Sequence, residues 1–332
     1  MSKRLSQIGN IRALAIFLVV LGHSIILYSC GWDLYETSRD VPCLNWLKGL
    51  VDIPQMPLFF SLSGYLFVFT HGRKRGFVHL LKNKALRLLV PYIGIGLCFL
   101  LPVRIAIGFP GYQGMGIGAF FLKLLTANDV GHLWFLPSLF VMFLLSEIIL
   151  TVVEKIPGIR KCPALFLCVA ALALYLEGYR IGFGYPPLLS VFNYLIWFSF
   201  GYFLNVYQHI VRKLYRIPGM KWALLVLNVG LLVYCLFADS VRVLISLGVK
   251  ALCILNTYGA MPEKSCGLVE KIDRSSFGVY LFHSPLIYIT YANIPNAHPV
   301  VVVFMNLVVF GAAAYGLTAL IRRTRLKVLI GE

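Results

Sequence analysis

The sequence is short of charge, and shorter still of acid: 13% of its 332 residues are charged, and 13 Asp and Glu stand against 30 Lys and Arg. A water-soluble surface draws on about a quarter charged residues. With 59% hydrophobic residues and a mean hydropathy of +0.82, the chain carries more apolar surface than one water-facing core can hide. None of its eight cysteines forms a C-x-x-C pair or meets a histidine at ligand spacing, so neither a metal site nor a redox motif is expected. There is no Gly-x-Ser-x-Gly elbow for a serine nucleophile. No repeat, low-complexity tract or linker divides the chain, which reads as one domain over 1–332. The first apolar stretch runs from Arg12 to Ser29 without a small-x-small cleavage site, so it reads as a retained helix.

What is present is a series of apolar runs, near 11–29, 51–70, 88–108, 133–153, 163–177, 188–207, 222–238, 241–257, 275–294 and 299–321. Each span needs about 20 apolar residues. The expected fold is therefore an all-α polytopic integral membrane protein of about ten transmembrane helices. The fifth and eighth runs are short, and the eighth contains Arg242 and Lys250.

The net charge of +17 is not gathered in a polar domain or arm, which argues against nucleic acid as a partner. It follows the membrane topology instead. Lys3 and Arg4, the group Arg73, Lys74, Arg75, Lys82, Lys84 and Arg87, and the tail Arg322, Arg323, Arg325 and Lys327 fall on one side. Lys155, Arg160, Lys161, Arg212, Lys213, Arg216, Lys221, Lys264, Lys271 and Arg274 fall there too. The opposite loops hold only Arg39, Lys48, Lys123 and Arg180. Positive charge stays inside, which places both termini in the cytoplasm. Cys30 and Cys43 share the first outer loop and could pair in an oxidising compartment.

An ionisable group at a helix centre costs roughly 2.5–3.5 kcal/mol in a bilayer, so such residues are functional candidates. Arg12 and His23 are eleven residues apart, which on a helix returns to within roughly 20° of one face, about 16 Å further along. A plainer reading has Arg12 snorkelling to headgroups and His23 bonding a neighbouring helix. In MPLFFSLSGYLF, Ser61, Ser63 and Gly64 read as close helix packing. GRKRGFVHLLKNKALRLLVPY at 72–92 fits either an amphipathic surface helix on anionic lipid or a cationic mouth for a phosphorylated donor, with Lys84 and Arg87 nearest the membrane. His132 and Trp134 are expected at the outer interface, His283 within the ninth span and Lys250 within the eighth. Each of these reads singly as a bonded or snorkelled side chain, and together they indicate a polar interior.

Five stretches in this order, Arg12 with Gly22-His23, MPLFFSLSGYLF, KNKALRLLVPY, HLWFLPSLF and YLFHSPLI, resemble the membrane-bound acyltransferase 3 family in its fucose 4-O-acetylase-like branch. The likeness covers most of the chain. Many relatives place a histidine just before MPLFF; Gln55 stands there, and no catalytic role attaches to it. The resemblance implies transfer of an acyl group, usually acetyl from acetyl-CoA, to a hydroxyl of a surface or secreted carbohydrate or lipid-linked glycan. It further implies residence in a bacterial inner membrane. Arg12 and His23 look like the family's paired arginine and histidine, and Lys84 and Arg87 like its basic motif. The expected roles are His23 as catalytic base or acyl carrier, and Arg12, Lys84 and Arg87 as holders of the acetyl-CoA phosphates. Two rivals from other classes are a flippase for a lipid-linked sugar and a non-catalytic component of polysaccharide export.

Overall fold

The computed structural model describes residues 3–29, 41–71, 76–181, 186–238, 243–294 and 296–332. Among them there is no strand. The helices are α1 (Lys3–Ile25), α2 (Pro42–Phe67), α3 (Gly76–Ala106), α4 (Ile117–Thr126), α5 (Phe135–Lys155) and α6 (Pro163–Ile181). They continue with α7 (Pro186–Val206), α8 (Gln208–Arg216), α9 (Met220–Phe237), α10 (Val243–Ala260), α11 (Gly267–Asn293) and α12 (Pro299–Arg322).

Six helical stretches among the described residues are long and apolar enough to cross a membrane: Ser6–Tyr28, Gly76–Ala106, Gly131–Lys155, Met220–Phe237, Val243–Ala260 and Pro299–Arg322. The chain is thus a multi-pass helical membrane protein. The other four expected runs fall on α2, α6, α7 and α11, which are helical too. Two of these are diluted by polar residues: α2 carries Lys48, Asp52 and Gln55, and α11 buries Ser275, Ser276, His283, Ser284 and Thr290. The Cys30–Cys43 pairing lies outside the described residues.

The third span begins earlier than expected, at Gly76, because the basic stretch continues into it without a break. Prolines inside α3 make this possible through π-turns. Pro91 and Pro102 supply no N–H to the carbonyl four residues back, and the helix widens over Ala85–Leu89 and Gly96–Leu100 just before them.

Small residues set the closest crossing. A Cβ added to Gly64 of α2 would lie 1.8 Å from the Phe198 carbonyl oxygen of α7, and one added to Gly201 would lie 1.8 Å from that of Ser61. Ser61 bonds its own helix at Leu58 O (2.8 Å), so this segment serves packing as expected.

Helices α1 and α11 run side by side in the same direction. Gly9 abuts Asp273, Arg12 pairs with Asp273, His23 meets His283, and the Tyr291 hydroxyl donates to the carbonyl of Ser24 at 2.9 Å. Below them Gln7 donates to Tyr258 O and Met261 O, and Asn10 to Pro262 O and Lys264 O, tying α1 to the last turn of α10 and the chain after it.

Candidate active site

Three histidines from separate parts of the chain converge. His23 Nδ1 lies 2.8 Å from His283 Nε2, and the rings of His132 and His283 are 5.3 Å apart. The backbone dictates the protons. His283 Nδ1 faces two carbonyls, Tyr280 O at 2.8 Å and Val279 O at 3.0 Å, and a carbonyl only accepts, so Nδ1 carries the hydrogen. In a neutral His283 the Nε2 then accepts, and His23 Nδ1 must donate to it. His23 is left with the lone pair on Nε2.

Pro285 prepares the third position. It has no N–H for the carbonyl of Leu281, four residues earlier, and His132 Nε2–H donates to that freed oxygen at 3.0 Å. The Tyr280 hydroxyl holds the His132 carbonyl from the same helix. His132 Nδ1 is buried without a partner among the described residues. His132 is 5% exposed, and with His23 and Trp134 it lines a cavity of about 320 Å³.

Arg104 and Asp129 line the same cavity. Arg104, 2% exposed, donates from Nη1 to the Tyr112 hydroxyl, to Asp129 O at 2.9 Å and to Asp129 Oδ1 at 3.4 Å. Its guanidinium carbon stacks over Phe109 and Tyr112, 4.4 and 4.7 Å from the ring centres. Tyr112, in the loop after α3, donates to Asp129 O at 2.6 Å. Burial raises its pKa above the phenol's usual value, so it stays a neutral donor. Asp129 also holds Lys123 at 2.7 Å.

The segment presenting these groups is strained. Ala127 (φ 47°) and Asp129 (φ 55°) are left-handed, at roughly 1–2 kcal/mol per residue, and Gly131 (φ 55°) follows. At Gly131 an added Cβ would lie 2.7 Å from Arg104 Nη2. Strain of this kind collects at functional sites.

The expected donor residues sit elsewhere. Arg12 Nη1 is 2.6 Å from Asp273 Oδ1, with its side chain 32% exposed. Lys84 Nζ lies 3.4 Å from the centre of the Phe143 ring, and Arg87 is exposed. None of the three lines the histidine cavity. Lys250 is half-buried beside Gly49 and Cys235, also away from it.

A family model for an acyltransferase domain matches residues 5–323, nearly the whole chain. The chain belongs to the acyltransferase 3 family. No curated protein and no solved structure matches it. The acyltransferase 3 match takes in His23, His132 and His283.

Within this acyltransferase 3 domain the sequence reading missed Arg104, Asp129 and Asp273. Arg104 carried a usable signal, a lone arginine in the apolar run LPVRIAIG. Asp129 and Asp273 carried none, because their roles come from contacts with Arg104, Lys123 and Arg12.

Proposed function

We propose that this acyltransferase moves an acetyl group from acetyl-CoA to a hydroxyl of a surface or exported carbohydrate, with His23 as general base. The observation that carries the reading is the His23–His283 contact, which leaves the His23 Nε2 lone pair on a ring lining the cavity. In the step, Nε2 takes the proton of the sugar hydroxyl as its oxygen attacks the thioester carbonyl carbon. The C–S bond breaks, the thiolate leaves and receives that proton, and an ester and free thiol result.

In this reading the Arg12 end of α1 faces the cytoplasm, in keeping with the distribution of Lys and Arg, and the His23 end faces the side where glycans are displayed. Arg12, Lys84 and Arg87 would meet the donor's phosphates at the cationic end. Because Arg12 is already bonded to Asp273, a phosphate there competes with a carboxylate. A bacterial inner membrane suits this arrangement.

The test is transfer of labelled acetyl groups from acetyl-CoA in membranes containing the protein, with glycan, lipid and protein fractions counted separately. Label in carbohydrate supports the reading. Label in none of them, with the chain correctly inserted and glycan supplied, refutes it.

A further inference from the structure

We infer that the histidine cavity takes an acceptor bearing an anionic group, a carboxylate or a phosphate, clamped by the Nε–Nη2 edge of Arg104. The inference rests on the reading above in one respect, that this cavity holds the acceptor. Three observations carry it.

The first is the shape of what is left over. Every described hydrogen bond of the guanidinium leaves from Nη1, and Nε is buried with no partner among the described residues. An unbonded buried donor is costly unless something satisfies it. The Nε–Nη2 edge is one of the two faces on which arginine meets a carboxylate or phosphate with two parallel bonds.

The second is the charge count. Asp129 is the one carboxylate among the described residues lining the cavity, and it is shared between Arg104 and Lys123; His23 and His132 add no negative charge. One positive charge remains uncompensated beside the buried Arg104 side chain, and a neutral sugar would leave it so.

The third is the build. The rings of Phe109 and Tyr112, the Asp129 carbonyl and the left-handed turn at 127–131 all fix this one side chain, and Gly131 leaves room at Nη2. A cation placed merely to neutralise Asp129 would not need a buried edge left unbonded.

The test is equilibrium binding to the full chain in phosphatidylcholine nanodiscs. The probes are methyl glucuronide, glucose 1-phosphate and, as the neutral comparator, methyl glucoside. At least one charged probe should bind about tenfold tighter than the glucoside, an advantage that shrinks with salt. Preference for the glucuronide alone assigns the anion to a sugar carboxylate, and preference for the phosphate alone to a sugar- or carrier-borne phosphate. Arg104→Gln should abolish the preference. Asp129→Asn, which keeps the backbone carbonyl and removes the competing charge, should enlarge it, and this second variant covers the case in which the first does not fold. Equal binding of charged and neutral probes, binding of none, or a preference that survives Arg104→Gln would overturn the inference.

His23→Gln, unable to take a proton in the same way, should discriminate the probes as the wild type does. Discrimination without any acetyl transfer would count against the proposed reaction alone. Transfer that treats charged and neutral acceptors alike would count against the anion site alone.

Discussion

His23 Nδ1 and His283 Nε2 lie 2.8 Å apart although 260 residues separate them in the chain. Two parallel helices hold them there, and the His283 proton is fixed by the carbonyls of Val279 and Tyr280. In the proposed reaction His283 acts through His23, as a positioning residue.

Replacing His283 with Ala removes the acceptor for His23 Nδ1–H and frees the imidazole to rotate or change tautomer. The transfer rate should fall by about 10–100-fold, less than for loss of the base itself. His283→Gln, whose amide oxygen can accept the same hydrogen, should recover part of the loss. Rates of the two variants at matched expression check this, and equal rates for Ala and Gln would contradict the positioning role.

Arg12 and Asp273 join the opposite end of the same helix pair. The pair is neither fully exposed nor sealed, so a double-mutant cycle over Arg12→Ala and Asp273→Ala should give a coupling of about 1–2 kcal/mol, between the surface and buried ranges. Thermal stability in detergent measures it. Additive effects would mean that the contact contributes nothing to stability.

Gly64 and Gly201 permit backbone contact between α2 and α7. Alanine at either position would place a Cβ 1.8 Å from a carbonyl oxygen, and the helices must move apart. Each substitution should destabilise by at least about 1–3 kcal/mol. Gly248→Ala, with nothing within 4 Å of its added Cβ, is the control and should be close to neutral or slightly stabilising. Melting temperatures of the three variants decide it.

Much of this site was legible in the sequence because its signals are local. Arg12 and His23 share a helix, so their spacing alone gives their common face, and each of the apolar runs falls on a helix. Pro285 was visible in YLFHSPLI, but its effect was not, because the carbonyl it frees is satisfied by His132, 149 residues away from Leu281. The pairing of His23 with His283 was hidden for the same reason. His132 looked like an ordinary interface residue beside Trp134 until the approach of α11 enclosed it. Asp273 gave no signal, since an acidic residue in a polar helix start is ordinary, and only the register of α1 against α11 makes it the partner of Arg12.

His132 is a second imidazole lining the cavity, and its Nδ1 has no partner among the described residues. The most direct test of the account therefore compares His23→Ala and His132→Ala, each verified as inserted, for the rate of acetyl transfer from acetyl-CoA. Loss of a general base typically removes about 10²–10⁴ in rate, so His23→Ala should fall at least 100-fold and His132→Ala should fall less. A His23→Ala protein that transfers acetyl at the wild-type rate would contradict the central claim.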